Sequence, residues 1–104
     1  WLTPECEPRR YDTRFFAAES RNDASVRPHQ AELVDALWLT PVQALKKNVE
    51  GSLPLVLPTL FTLEELQPFH TPRAALGYLR KQPVPRRLPI PEREEGGIRF
   101  RLKP

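Results

Sequence analysis

Apolar and polar positions change rhythm along the chain, and the rhythm predicts the elements. Residues 10–18, RYDTRFFAA, alternate with period two: Arg10, Asp12, Arg14 and Phe16 fall on one side, Tyr11, Thr13, Phe15 and Ala17 on the other. That pattern, bounded by Pro8 and the polar run SRNDASVRPHQ, predicts a strand with one apolar face. Residues 20–30 have no period and read as a long loop. A second strand is expected at 33–39, with Val34, Ala36 and Trp38 on its apolar face.

Helical spacing takes over at Thr40. A threonine suited to the N-cap, Pro41 at the first helical position and Gln43 where a capping box wants Glu or Gln make a full start signal. Val42, Leu45 and Val49 are the expected buried stripe, and Gly51 marks the end. A second helix is predicted over 58–67, with Leu60, Phe61, Leu63 and Leu66 inward and Pro68 stopping it. Thr71 and Pro72 repeat the cap-then-proline start for a third helix through 73–82, weakened by Gly77. Residues 83–97, PVPRRLPIPEREEGG, read as a linker or tail, and IRFRLKP at 98–104 alternates as a strand would. The domain boundary therefore falls between 82 and 83.

The tetrapeptide WLTP occurs at 1–4 and 38–41. Only the second copy starts a helix, because Pro8 follows too closely on Pro4 in the first, and the sequences after the two copies diverge. A structural repeat needs a unit of about 20 residues or more, so the copies are two different strand ends.

Composition narrows the function classes. Thirteen prolines in 104 residues predict stiff connections, and a net charge of +3 suits an anionic ligand without requiring one. The basic pairs at 9–10, 46–47, 80–81 and 86–87 sit in four segments with few aromatics between them, so they read as solvated surface and no specific nucleic-acid groove is expected. The single cysteine, Cys6, excludes an internal disulfide and fits a reducing cytoplasm, the expected location. No apolar run approaches the ~18 residues of a membrane span, so no membrane partner is expected. A chain that opens on Trp1 and contains no methionine reads as a fragment.

Taken in order, WLTP, RRYDTRFF, a polar loop ending in QAE, WLTPVQAL and PTLFTLEEL resemble the C-terminal part of Nudix hydrolases. The likeness is specifically to the branch of the peroxisomal coenzyme A diphosphatase type and its bacterial relatives, over roughly residues 1–80. The resemblance implies an α+β chain that is part of an α/β/α sandwich, a mixed sheet with C-terminal helices. It implies hydrolysis of a diphosphate linkage in a nucleoside diphosphate derivative, coenzyme A-like or related, by metal-activated water. The family's Nudix box, whose glutamates hold Mg²⁺ or Mn²⁺, would lie before Trp1, so the metal ligands are expected mostly outside this chain and none is assigned within it. Glu92-Arg93-Glu94-Glu95-Gly96-Gly97 echoes the box, but its acidic elements are collapsed together and flanked by Pro91 and glycines, which excludes a carboxylate-bearing helix.

The same resemblance raises particular residues. Arg10 and Asp12, with Arg9 and Arg14, would form a substrate wall, guanidinium forks meeting a diphosphate while Asp12 holds them by pairing. Glu32, at the end of the long loop, is the single catalytic candidate, with Glu19 and Asp23 behind it. His29 and His70 are too far apart in sequence, with no cysteine near them, to suggest a metal pair, and Asp35 reads as a polar strand residue. Cys6 sits between two glutamates, which disfavours a thiolate, and Ser20, Ser25 and Ser52 lack an activating neighbour. The expected partners are a diphosphate-containing small molecule and the missing box segment; a homodimer stays open. The rival reading is a non-catalytic Nudix-like binding or assembly module.

Overall fold

The computed structural model describes residues 1–20 and 36–102. It is a small α+β structure with three helices, α1 (Pro41–Val49), α2 (Leu57–Leu66) and α3 (Pro72–Lys81), and an antiparallel pair, β1 (Pro89–Glu94) and β2 (Gly97–Leu102). The chain divides into two compact units: Trp1–Ala17 together with Lys81–Pro104, and Ala18–Arg80.

In the helical unit, α1 starts where Thr40 predicts. The Thr40 hydroxyl accepts from Gln43 N at 3.1 Å and the Gln43 carboxamide oxygen accepts from Thr40 N at 2.9 Å, a complete capping box. Its end is equally defined. Gly51 N donates to Asn48 O and Ser52 N to Lys47 O, both at 3.0 Å, the paired bonds of a Schellman motif. That motif needs a left-handed residue, and Gly51 has φ 82°. Asn48 Nδ2 then reaches on to Leu53 O at 3.0 Å and ties the exit.

The face of α1 differs from the expected one. Ala44 is buried at 6% exposure, with Pro41, Leu45 and Asn48 half-buried, while Val42 and Val49 are exposed. The inward stripe is 41, 44, 45 and 48, a regular helical spacing rotated from the larger side chains at 42 and 49. Small residues let two helices approach closely, and α1 packs on α2. In α2 the predicted residues Leu60, Phe61, Leu63 and Leu66 are all half-buried. It begins one residue before Pro58 on an N-cap, Val56, that makes no side-chain bond. Thr71 opens α3 by accepting from Ala74 N at 3.1 Å, and Phe69 meets Tyr78 with ring centroids 4.9 Å apart.

The capping box is testable by itself. Thr40→Ala should destabilise the chain by about 1 kcal/mol and Thr40→Ser much less, because only the hydroxyl is at issue. Thermal melts followed by circular dichroism would measure both; equal losses would assign the effect to something other than the cap.

Three sequence expectations are corrected. Residues 10–18 do not form a strand: a single bridge, Leu2 to Asp12, is all the pairing there, and residues 11–20 are exposed, Phe16 at 89%. Alternation indicates a strand only where a neighbour completes its hydrogen bonds, and here only residues 11–13 find them, around the single bridge. Residues 36–39 of the second expected strand carry no ladder either, and Trp38 is 68% exposed; 33–35 lie outside the described residues. The expected linker at 83–97 contains β1 and the hairpin turn, with Pro89 fully buried.

Prolines explain why a strand was hard to see there. Proline cannot donate, so in β1 the alternate positions Pro89 and Pro91 must face away from β2, leaving Ile90, Glu92 and Glu94 opposite Arg101, Arg99 and Gly97 to form the ladder. Glu95 and Gly96 make the two-residue turn, and Gly96 at φ 96° meets the positive φ that a type II turn requires. One hairpin face bears diagonal ion pairs, Arg101 with Glu92 and Arg99 with Glu94.

Candidate functional site

The first WLTP finds its role in the other unit, between two neighbours. On one side Thr3 N donates to Tyr11 O at 3.0 Å, Thr13 N to Trp1 O at 2.8 Å and Trp1 N to Thr13 O at 2.8 Å. On the other side Leu2 N donates to Arg87 O at 2.8 Å. Arg87 lies two residues before Pro89, on the edge of the chain that alternation turns away from β2. Trp1 to Thr3 thus join residues 11–13 to Arg87. The Thr3 hydroxyl adds to the seam by accepting from Tyr11 N at 2.8 Å, and Pro4 O accepts from Glu7 N at 3.1 Å to close the turn that follows.

This seam gathers charge. Asp12, opposite Leu2, places a carboxylate oxygen 3.2 Å from Arg86 Nη2. Arg10 Nε donates to Thr3 O at 3.3 Å, and the Arg87 guanidinium lies 5.3 Å from the centroid of the Trp1 ring, within cation–π range. The Asp12 and Arg86 side chains are 45% and 76% exposed, so their pair contributes little to stability, at most about 1 kcal/mol.

Of the residues expected to form a substrate wall, Arg10 and Asp12 lie on this seam. Arg9 is exposed beside it, and Arg14 is exposed beyond the bridge. Asp12 pairs with Arg86, not with the arginines of its own segment that alternation suggested. Glu32 lies outside the described residues, as do Asp23, Ser25, His29 and Asp35; Glu19 is exposed and outside any regular element. Arg86, read from the sequence as solvated surface, is exposed and pairs with Asp12, and Arg87 is half-buried beside Trp1. A hint was available in the complementary charge of Asp12, yet nothing local tells which distant arginine meets it.

A shallow groove of about 130 Å³ lies nearby, lined by Glu5, Leu88, Pro89, Ile90 and Pro91. It is smaller than the roughly 300–1,000 Å³ of small-molecule pockets and carries a carboxylate, so it does not suit a diphosphate. Among the described residues no group of three or more His, Cys, Asp or Glu side chains could hold a metal ion. No described helix is long and apolar enough to cross a membrane. No protein-family model matches the chain, and no solved structure matches it.

Proposed function

We propose that this chain is the part of a Nudix-type hydrolase that follows the Nudix box, contributing a substrate wall to an enzyme that cleaves a diphosphate linkage in a nucleoside diphosphate derivative. The observation that carries the reading is the ordered series WLTP, RRYDTRFF, WLTPVQAL and PTLFTLEEL. Two structural facts support it. The second WLTP forms the joint into a capped helix, and Asp12 pairs with Arg86 while Arg10 donates to the neighbouring Thr3 carbonyl. Guanidinium groups bind phosphoryl oxygens through paired N–H donors, so this surface suits binding and orientation. Attack of water on phosphorus, and the Mg²⁺ or Mn²⁺ that would activate it, belong to the whole enzyme.

Exposed apolar side chains favour a second reading alongside it. Within the helical unit Leu37, Trp38, Val49 and Val56 are all more than half exposed, apolar side chains that another segment or chain would cover. In the proposed enzyme the rest of the Nudix domain covers such residues; in a non-catalytic assembly module a partner does. Both readings expect the 104 residues alone to be inert. Assayed with coenzyme A, ADP-ribose and nucleotide sugars in the presence of Mg²⁺, the chain should show no turnover. Turnover that co-purifies with the chain through successive columns would overturn the proposal that the catalytic carboxylates lie elsewhere.

A further inference from the structure

The hairpin has two outer edges of unlike chemistry. In the β1–β2 register, Ile90, Glu92 and Glu94 share the ladder with Arg101, Arg99 and Gly97, so the backbone groups of the residues between them turn outward. On β1 these include Pro89 and Pro91, which have no N–H to offer, and on the same edge Arg87 O accepts from Leu2 N. On β2 they are Ile98, Phe100 and Leu102, each with a donor and an acceptor. Among the described residues no third strand pairs with them. Prolines blunt an edge against strand addition, and of the two strands only β1 carries them.

Side chains decide what fits the β2 edge. One face of β2 bears Ile98, Phe100 and Leu102, with Ile98 66% exposed; the other bears Arg99 and Arg101. Each arginine meets one carboxylate of β1, Arg99 through Nη1 with Glu94 and Arg101 through Nε with Glu92, and their side chains are 72% and 48% exposed. A guanidinium carries five N–H donors, so carboxylates arriving from the opposite side find further ones. A second copy of β2 fits poorly: pairing the two edges antiparallel sets Arg99 of one copy against Arg101 of the other, and like charges directly opposite are destabilising. The arginines thus guard against self-pairing and select the opposite charge.

We propose that the outer edge of β2 docks an extended segment of a partner protein in which acidic and apolar residues alternate. Its backbone adds a third strand along Ile98, Phe100 and Leu102, its carboxylates lie on the face of Arg99 and Arg101, and its apolar side chains cover Ile98. This site is independent of the hydrolase reading.

The test titrates the 104-residue chain at low ionic strength with a short end-blocked peptide alternating glutamate and valine, and with the same peptide carrying lysine for glutamate. Backbone amides are followed by nuclear magnetic resonance and hydrogen exchange. Those of Ile98, Phe100 and Leu102 should shift and gain protection, and the glutamate peptide should bind about tenfold more tightly than the lysine one. Phe100→Pro removes an outward donor and no ladder donor, so it should weaken binding about fivefold or more, whereas Phe100→Val keeps the donor and should bind nearly as well. Arg99→Gln with Arg101→Gln keeps every backbone donor and should bring the two peptides to near-equal affinity. Equal affinities in the unaltered chain, or a preference for glutamate that survives the loss of both arginines, would overturn the acidic partner. Protection of the three amides that rises with chain concentration and without peptide would give the edge to a second copy. The same protection in a longer form of the protein, again without peptide, would give it to the chain itself, and either result overturns the proposal.

Discussion

Replacing Ala44 by aspartate should destabilise the helical unit by about 3 kcal/mol or more, enough to lower its melting temperature by about 12–24 °C. Ala44 is the one buried apolar residue of α1, at 6% exposure, on the stripe where α1 packs on α2. A carboxylate there loses its water without gaining a cation, and the alanine site has no volume to spare. A domain of this length is stable by about 5–15 kcal/mol in all, so the change removes a large share. Val49→Asp is the control: it places the same group five residues on, at a position 86% exposed, and should alter stability by no more than about 1 kcal/mol. Equal losses from both variants would mean that the 41, 44, 45, 48 stripe does not face α2.

The contrast between these two positions also shows where the sequence was legible. Helix starts and stops were readable because they depend on neighbours in the chain: Thr40, Gln43 and Gly51 act within a few residues of one another, and local chemistry decides them. Which side of α1 faces inward was not readable in that way. Val42, Leu45 and Val49 are the more apolar choice, yet the side with Ala44 and Asn48 is turned in, because close packing and the Asn48 to Leu53 bond favour the smaller residues.

Strands were legible only where both partners are near. The alternation of IRFRL indicated β2, and its partner β1 lies two residues away across the turn. The prolines that disguised β1 as a linker are tolerated because they fall on alternate positions, all facing away from the ladder. In RYDTRFFAA the alternation was clear, but pairing had to come from the distant segment at Leu2 and extends over one bridge.

The site followed the same rule. Arg10 and Asp12 stood out through a resemblance, and both lie on the seam. Arg86 was invisible because its link to Asp12 spans most of the chain, and a basic pair between prolines has the same appearance whether it is solvated or gathered.

If a Nudix box precedes Trp1, as proposed, joining it to this chain should have the largest effect on activity, from none to measurable turnover. If the substrate wall is here and the metal-binding carboxylates are in a Nudix box, joining them places a bound diphosphate against metal-activated water, an arrangement that neither part has alone. Chelation should then abolish activity while leaving the α1 cap and the Arg10 seam untouched, since neither uses metal. The most direct measurement is to read the residues encoded before Trp1, express the chain from a start that includes them, and follow hydrolysis of coenzyme A, ADP-ribose and nucleotide sugars with Mg²⁺ and with excess chelator. The proposal predicts a box with its spaced glutamates and metal-dependent release of two phosphate-bearing products from at least one of these compounds. A preceding sequence without those glutamates, or an intact box with no hydrolysis of any of them, would contradict it.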